Sequence, residues 1–161
     1  MAKAQTSAKR IASLTLDDSS VLRRGAHLED ERRVAMVDIL QENYFRPAGE
    51  AEGPFDLRLG MQENRLAIDI RTMEEERLAL ILVSLTPLRR VIRDYLTVCE
   101  SYYKALKMAG PSQVEAIDVG RRALHDEGSE ILRQRLAGKV ELDHETARRL
   151  FTLICALRAP G

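Results

Sequence analysis

The chain has 161 residues, 45% of them hydrophobic and 31% charged, values that exclude wholesale disorder and suffice for one core without disulfide or metal support. Twenty-five Lys and Arg balance 25 Asp and Glu, a net charge of zero, which removes the broad positive field that a general nucleic-acid binder uses to gather phosphates. No apolar run approaches the ~18 residues of a membrane span, and the basic start MAKAQTSAKR lacks the apolar stretch of a secretory signal.

Residues 1–10 read as a flexible N-terminus and residues 11–158 as a single α+β domain. Ile11 to Leu16 is a short strand, closed by Asp17-Asp18-Ser19-Ser20. A helix is expected over about Leu28–Tyr44, with acidic residues in its first turn and Val34, Val37, Leu40, Gln41 and Tyr44 recurring at steps of three and four on a buried face. Arg46 to Pro54, with two prolines and two glycines, is a loop.

Three strands follow. Phe55, Leu57, Leu59 and Met61 alternate with polar residues and Gly60, and after a turn at Glu63-Asn64 so do Leu66, Ile68 and Ile70 with Ala67, Asp69 and Arg71. Leu78 to Val83 is apolar on both faces, which predicts an interior position or a second covering element. The short connections favour an antiparallel meander.

The rest is mainly helical. From a Thr86 N-cap with Pro87 at the first position, Leu88, Val91, Ile92, Tyr95, Leu96, Cys99, Tyr102, Tyr103 and Leu106 span a wide apolar arc, expected of the central helix. Gly110-Pro111 stops it, and Ser112 to Glu115 reads as a capping box opening the next helix, which runs towards Leu136 with a break expected at Gly128-Ser129. After a brief strand, Lys139 to Leu142, Asp143 caps a last helix with Ala147, Leu150, Phe151, Ile154 and Leu157 inside. The fold class is therefore α+β, a small, mostly antiparallel sheet packed by about four helices.

Twenty of the 25 basic residues are arginine, and five doublets occur: Arg23-Arg24, Arg32-Arg33, Arg89-Arg90, Arg121-Arg122 and Arg148-Arg149. Arg89, Arg90 and Arg93 crowd the positive pole of their helix, an arrangement that costs a few tenths of a kcal/mol each unless an anion offsets it. The counterpart is either a structural network of acidic side chains, as is common at element edges, or an anionic ligand at the helix start. In "DVGRRALHDEGSE", Asp118, Arg121, Arg122 and His125 fall on one flank. That flank is either a solvated salt-bridged face or an arginine clamp with a titrating histidine. Gly120, Leu124 and Gly128 share the inner side and leave room for a close neighbour. The candidate anion-binding residues are thus Arg89, Arg90, Arg93, Arg121, Arg122 and His125.

Familiar catalytic patterns are missing. His27, His125 and His144 are far apart, so are Cys99 and Cys155, and no zinc motif, dinucleotide fingerprint, phosphate loop or nucleophile elbow occurs. No metal or cofactor is expected, and the reading leans away from an enzyme. The two thiols on apolar helix faces suit the reducing cytoplasm.

The run "LTPLRRVIRDYLTVCESYYKAL", with "QENRL" before it and "GRRALHDEGSEILRQRL" and "ARRLFTLICAL" after, resembles uncharacterised protein family 0262 of the alphaproteobacteria, over about Ile11–Leu157. Where the family has phenylalanine after the proline, this chain has Leu88. The resemblance implies a bacterial cytoplasmic protein and assigns no catalytic residue. Two functions compete. One is a non-catalytic binding or regulatory protein acting through protein contacts as a homodimer, since the wide helical arc and the two-faced strand need more cover than one small sheet gives. The other is a binder of, or enzyme on, a small anionic compound, such as a phosphorylated one, through the arginine cluster at a helix N-terminus. Nucleic acid and membrane are not expected as partners.

Overall fold

The computed structural model describes residues 8–17 and 26–158. Asp18-Ser19-Ser20, the Arg23-Arg24 doublet and residues 1–7 of the expected flexible start lie outside them. In chain order the elements are β1 (Ile11–Asp17), α1 (Ala26–Gln41), β2 (Phe45–Pro47), β3 (Phe55–Gln62), β4 (Arg65–Arg71), β5 (Arg77–Ser84), a 3-10 turn (Thr86–Leu88), α2 (Arg89–Met108), α3 (Pro111–Leu136), β6 (Val140–Leu142) and α4 (His144–Arg158). The architecture is α+β.

The main sheet has strand order β1-β3-β4-β5. The last three form the antiparallel meander that their alternation and short turns dictate, with Leu59 opposite Ile68 and Ile68 opposite Ile81. Glu63 takes the left-handed conformation, φ 58°, in the two-residue turn between β3 and β4. β1 joins the sheet parallel to β3, Leu14 facing Leu57, so the segment holding α1 is the crossover that parallel neighbours require. A separate two-stranded sheet pairs β2 with β6, Phe45 opposite Leu142.

Leu57, Leu59, Leu66, Ile68 and Ile70 turn to the helices and are fully buried. Each such side chain contributes roughly 1.5–3 kcal/mol on leaving water. Leu57, Leu59, Leu66 and Ile68 meet Leu132 and Leu136 of α3 and Leu150 and Ile154 of α4. The opposite sheet face is an ion-pair lattice: Asp69 accepts from Arg71 Nε at 3.0 Å and from Arg77 Nε at 3.1 Å. Burial works against the Asp69 charge, but these two guanidinium groups outweigh it and hold its carboxyl below the usual range.

Several expectations are corrected. The buried face of α1 is Leu28, Ala35 and Ile39, while Val34 and Val37 are 56% and 51% exposed. Small Ala35 belongs to the core cluster, and side-chain size misplaces the inner face when read from sequence. The helix stops at Gln41, before Tyr44. Asn43 Nδ2 donates to the carbonyls of Ile39 (2.7 Å) and Ile11 (2.9 Å), while its Oδ1 accepts from the Ile11 amide at 2.8 Å. One buried side chain thereby ends α1 and ties it to β1.

β5 is an edge strand rather than an interior one. Ala79, Ile81 and Val83 join the core, but Leu78 and Leu80 are exposed; an apolar run reads alike whether its second face is covered or open. The central helix is α4, which packs against α1, α3 and β3 and buries Ala147, Leu150, Phe151 and every residue from Leu153 to Leu157. α2 buries only a stripe of Val91, Ile92, Tyr95, Cys99 and Ala105, with Leu106 open to solvent.

Thr86 does not cap α2. Its Oγ1 accepts from Asn64 Nδ2 (3.1 Å), the 3-10 turn intervenes, and α2 starts at Arg89 without a side-chain cap. Nor does Ser112 form a capping box; α3 opens on Pro111 with Gly110 at its N-cap. α3 also passes unbroken through Gly128, where a side chain would overlap the Phe151 ring. Asp143 does cap α4, its Oδ1 accepting from the Thr146 amide at 2.9 Å.

Candidate functional site

All four helices contribute to one cleft of about 420 Å³, lined by Glu31, Val34 and Asp38 of α1, Tyr95 and Tyr103 of α2, Arg121, Arg122 and His125 of α3, and Arg148, Arg149 and Thr152 of α4 among others. Two arginine doublets therefore converge from separate helices. Arg121 Nε and Nη2 donate to Asp118 Oδ1 at 3.0 and 2.6 Å, and Arg122 Nε lies 3.2 Å from the other oxygen. The Arg121 guanidinium carbon also stands 4.6 Å over the Tyr102 ring. On α4, Arg148 pairs with Asp126, while Arg149 meets Glu145 Oε2 at 2.7 Å and Asp38 at 3.9 Å.

Glu31 lies deepest among the acids, its side chain 14% exposed and 3.7 Å from Arg121 Nη1. The Tyr103 hydroxyl donates to its Oε1 at 3.3 Å. Burial pushes the Glu31 carboxyl upward, against the pull of Arg121, Tyr103 and His27. Burial and the neighbouring Glu31 raise the Tyr103 phenol to about 12. Burial opposes the charge of Arg121, but Asp118, Tyr95 and Glu31 stabilise it more, and its pKa rises.

His125 forms the floor. Its ring packs on Tyr95 and Phe151, centroids 5.2 and 5.4 Å away, a contact that Gly128 permits one turn along α3. Its Nε2 lies 2.7 Å from Thr152 Oγ1, and the Thr152 hydroxyl donates to the Arg148 carbonyl at 3.3 Å. The donor in the short contact between the Thr152 hydroxyl and Nε2 is set by the histidine tautomer. Burial, reinforced by Arg148, lowers the imidazole to about 4 and keeps it neutral at pH 7.

Of the six residues expected from the sequence, Arg121, Arg122 and His125 thus share the cleft. Arg89, Arg90 and Arg93 do not line it. Arg90 pairs with Asp94 at 3.1 Å and with Glu127, and Arg93 lies 3.4 Å from Asp94, so carboxylates of the same chain meet that helix start. Glu31, Arg148, Arg149 and Thr152 were not singled out for the site, although the Arg148-Arg149 doublet was a visible signal. Glu31 carried none, because its role depends on α1 facing α3. Among the described residues no group of three or more His, Cys, Asp and Glu could hold a metal ion, and no helix is long and apolar enough to cross a membrane.

A larger groove of about 590 Å³ runs beside β2 and β6. Most of its charged side chains are exposed and paired, Arg46 with Glu141, and Arg133 with Glu130 and the Leu142 carbonyl. It gathers less chemistry than the four-helix cleft.

The model of the uncharacterised protein family UPF0262 matches residues 8–159. A UPF0262 protein of Methylobacterium radiotolerans is 54% identical over 161 residues, all of both chains. One from Azorhizobium caulinodans is 52% identical, covering 94% of this chain and 95% of its own. Another, from Phenylobacterium zucineum, is 51% identical and covers 94% of each. No solved structure matches the chain. The chain belongs to the uncharacterised protein family UPF0262.

Proposed function

We propose that this family member is a non-catalytic binding protein that works in the cytoplasm and takes a small anionic compound in the four-helix cleft. The observation that carries the reading is the convergence of Arg121-Arg122 and Arg148-Arg149, from two helices, around a concave site with tyrosine walls. Several of their ion pairs are exposed, Arg122 by 59%, and such pairs contribute little and exchange readily for a ligand carboxylate or phosphate. Both cysteines are buried free thiols, which suits a reducing compartment.

Thermal-shift titration with phosphate, sugar phosphates and carboxylates tests this. Saturable stabilisation that survives added NaCl, and that Arg122→Ala with Arg149→Ala abolishes, is the expected result. If no such anion stabilises the protein, or if the double variant keeps the response, the reading fails.

A second reading, a homodimer, is supported by β5. Among the described residues no strand pairs with the outer side of β5, Leu80 is 42% exposed, and antiparallel pairing with its own copy is self-complementary under a two-fold axis. Sedimentation should then show a dimer that Leu80→Lys dissociates. A monomer at high concentration removes it.

A further inference from the structure

Four carboxylates line the four-helix cleft: Asp30, Glu31, Asp38 and Glu145. Three of them are exposed to water and paired with arginine, Asp30 with Arg33, and Asp38 and Glu145 with Arg149. A negative charge arriving beside these is screened by solvent or meets an arginine released from its pair. Glu31 has neither outlet. Its side chain is 14% exposed, and the arginine it meets, Arg121 at 3.7 Å, stands closer to Asp118, at 2.6 Å. The Tyr103 hydroxyl donates to Glu31 Oε1 at 3.3 Å, while Oε2, closed to solvent, has no hydrogen-bond partner. A charged carboxylate placed in this way keeps little to offset its lost hydration.

We propose that binding of an anion in this cleft is coupled to uptake of a proton by Glu31, so that the site loads as the pH falls. This rests on the binding reading above and specifies its regulation. Salt screens charges over about 8 Å, a span comparable with the width of a cleft of about 420 Å³, so a bound anion and an ionised Glu31 repel each other. The arginines cannot relieve this by changing charge. Glu31 can: a proton from solvent neutralises its carboxyl, ends the repulsion and leaves the Arg121 charge to the ligand. By linkage, the affinity then rises wherever the complex holds more protons than the free protein.

The groups that face Glu31 from the neighbouring helices do not titrate in its place. Burial raises Tyr95, Cys99 and Tyr103 of α2 and Cys155 of α4, and they stay neutral. Arg121 of α3, like Arg148 and Arg149 of α4, stays charged, and its partner Asp118 stays paired. His125 is held neutral down to about 4. Burial already pushes the Glu31 carboxyl up against Arg121, Tyr103 and His27, and a bound anion pushes the same way. His27, stacked on Tyr103 at 4.5 Å between ring centroids, is the remaining candidate for the proton and has its own control.

The full-length protein is titrated by calorimetry with sulfate, glucose 6-sulfate and acetate, whose charges are fixed between about pH 6 and 8, in paired buffers of different ionisation enthalpy. At least one should bind saturably with net proton uptake, and its affinity should rise about threefold or more from pH 8 to pH 6. In the wild-type protein the Glu31 carboxyl carbon resonance should move towards its protonated position on saturation, a readout that does not depend on a variant folding. Glu31→Gln should remove the uptake and flatten the pH profile, while His27→Asn should leave both in place. If an anion binds without proton uptake, or if the uptake survives Glu31→Gln or is lost in His27→Asn, the coupling is overturned while the anion reading stands. If none of the three anions binds, both fall.

Discussion

Arg89, Arg90 and Arg93 on one side, and Arg121, Arg122, Arg148 and Arg149 on the other, set the same side chain at similar helical spacings in two different surroundings. The first group stands at the start of α2, where Arg93 is 69% exposed and its partner Asp94 lies one residue on. The second is drawn from two helices, where Arg121 is only 23% exposed and touches Asp118, Glu31 and the Tyr102 ring. A dipole argument applies equally to any helix start, so it selects residues near helix ends and ignores what packs beside them. Recession separates the groups: guanidinium pairs in water contribute little, while those shielded by aromatic walls and backed by a buried histidine are costly to disturb.

The largest effect should come from beneath the cleft. Gly128→Ala forces the Phe151 ring off α3 and with it the His125 stack. A loss of about 1–3 kcal/mol in denaturant unfolding is expected; a neutral result would show that Phe151 yields freely and that the floor is soft.

His125 gives a comparable change through pH. Its folded value of about 4 lies below the ordinary 6.5, so the unfolded chain binds more protons in between. Stability is present above about 6.5 and is lost as pH falls towards 4, on the order of 3 kcal/mol in all. Asp126 moderates the effect, whereas Arg148, Arg121 and Arg149 reinforce it. Glu31, raised above 4.5, acts with the opposite sign: its contribution is full below 4.5 and fades as pH rises through its folded value. Comparing wild type with His125→Asn isolates the histidine, whose removal should flatten the acid limb between pH 4 and 6.5.

Arg121→Leu should cost about 1–2 kcal/mol, since Asp118 and Glu31 lose a shared partner and Tyr102 its cation. The loss should persist in 1 M NaCl. Arg89→Ala with Arg93→Ala should change stability by less than about 0.5 kcal/mol, with a small gain at low salt as cations leave the positive pole of α2. Equal losses from the two sets would erase the distinction between them.

Much of the fold was legible because period alone carried it. The alternation over Phe55–Met61 and Leu66–Ile70 matches β3 and β4, and the residues Ala147, Leu150, Phe151, Ile154 and Leu157 name the inner face of α4. Failures came where a local rule met a tertiary choice. Thr86 and Ser112 have capping chemistry, but a 3-10 turn and Pro111 take over the starts of α2 and α3. Val34 and Val37 have the bulk of core residues, yet Ala35 and Ile39 are the ones turned inward. Half the expected site residues share the cleft because Arg121, Arg122 and His125 sit on one flank of a single helix, within reach of a local pattern. Glu31 and Arg149 were out of that reach, since only the packing of α1 and α3 on α4 makes them neighbours of that flank.

Asn43 has a further consequence for how the chain is made. Ile11 takes its partners from Asn43 and, across the sheet, from Phe55, and both are synthesised well after it. During translation the first strand must wait, its apolar residues exposed, until α1 and then β3 have emerged. β3 and β4, joined by two residues, can pair as soon as both exist. The meander is therefore the natural seed, and the N-terminal strand docks late onto a preformed edge. A chain stalled before Phe55 would hold that strand with no place to go, and would present it to the quality-control machinery as an adhesive tail.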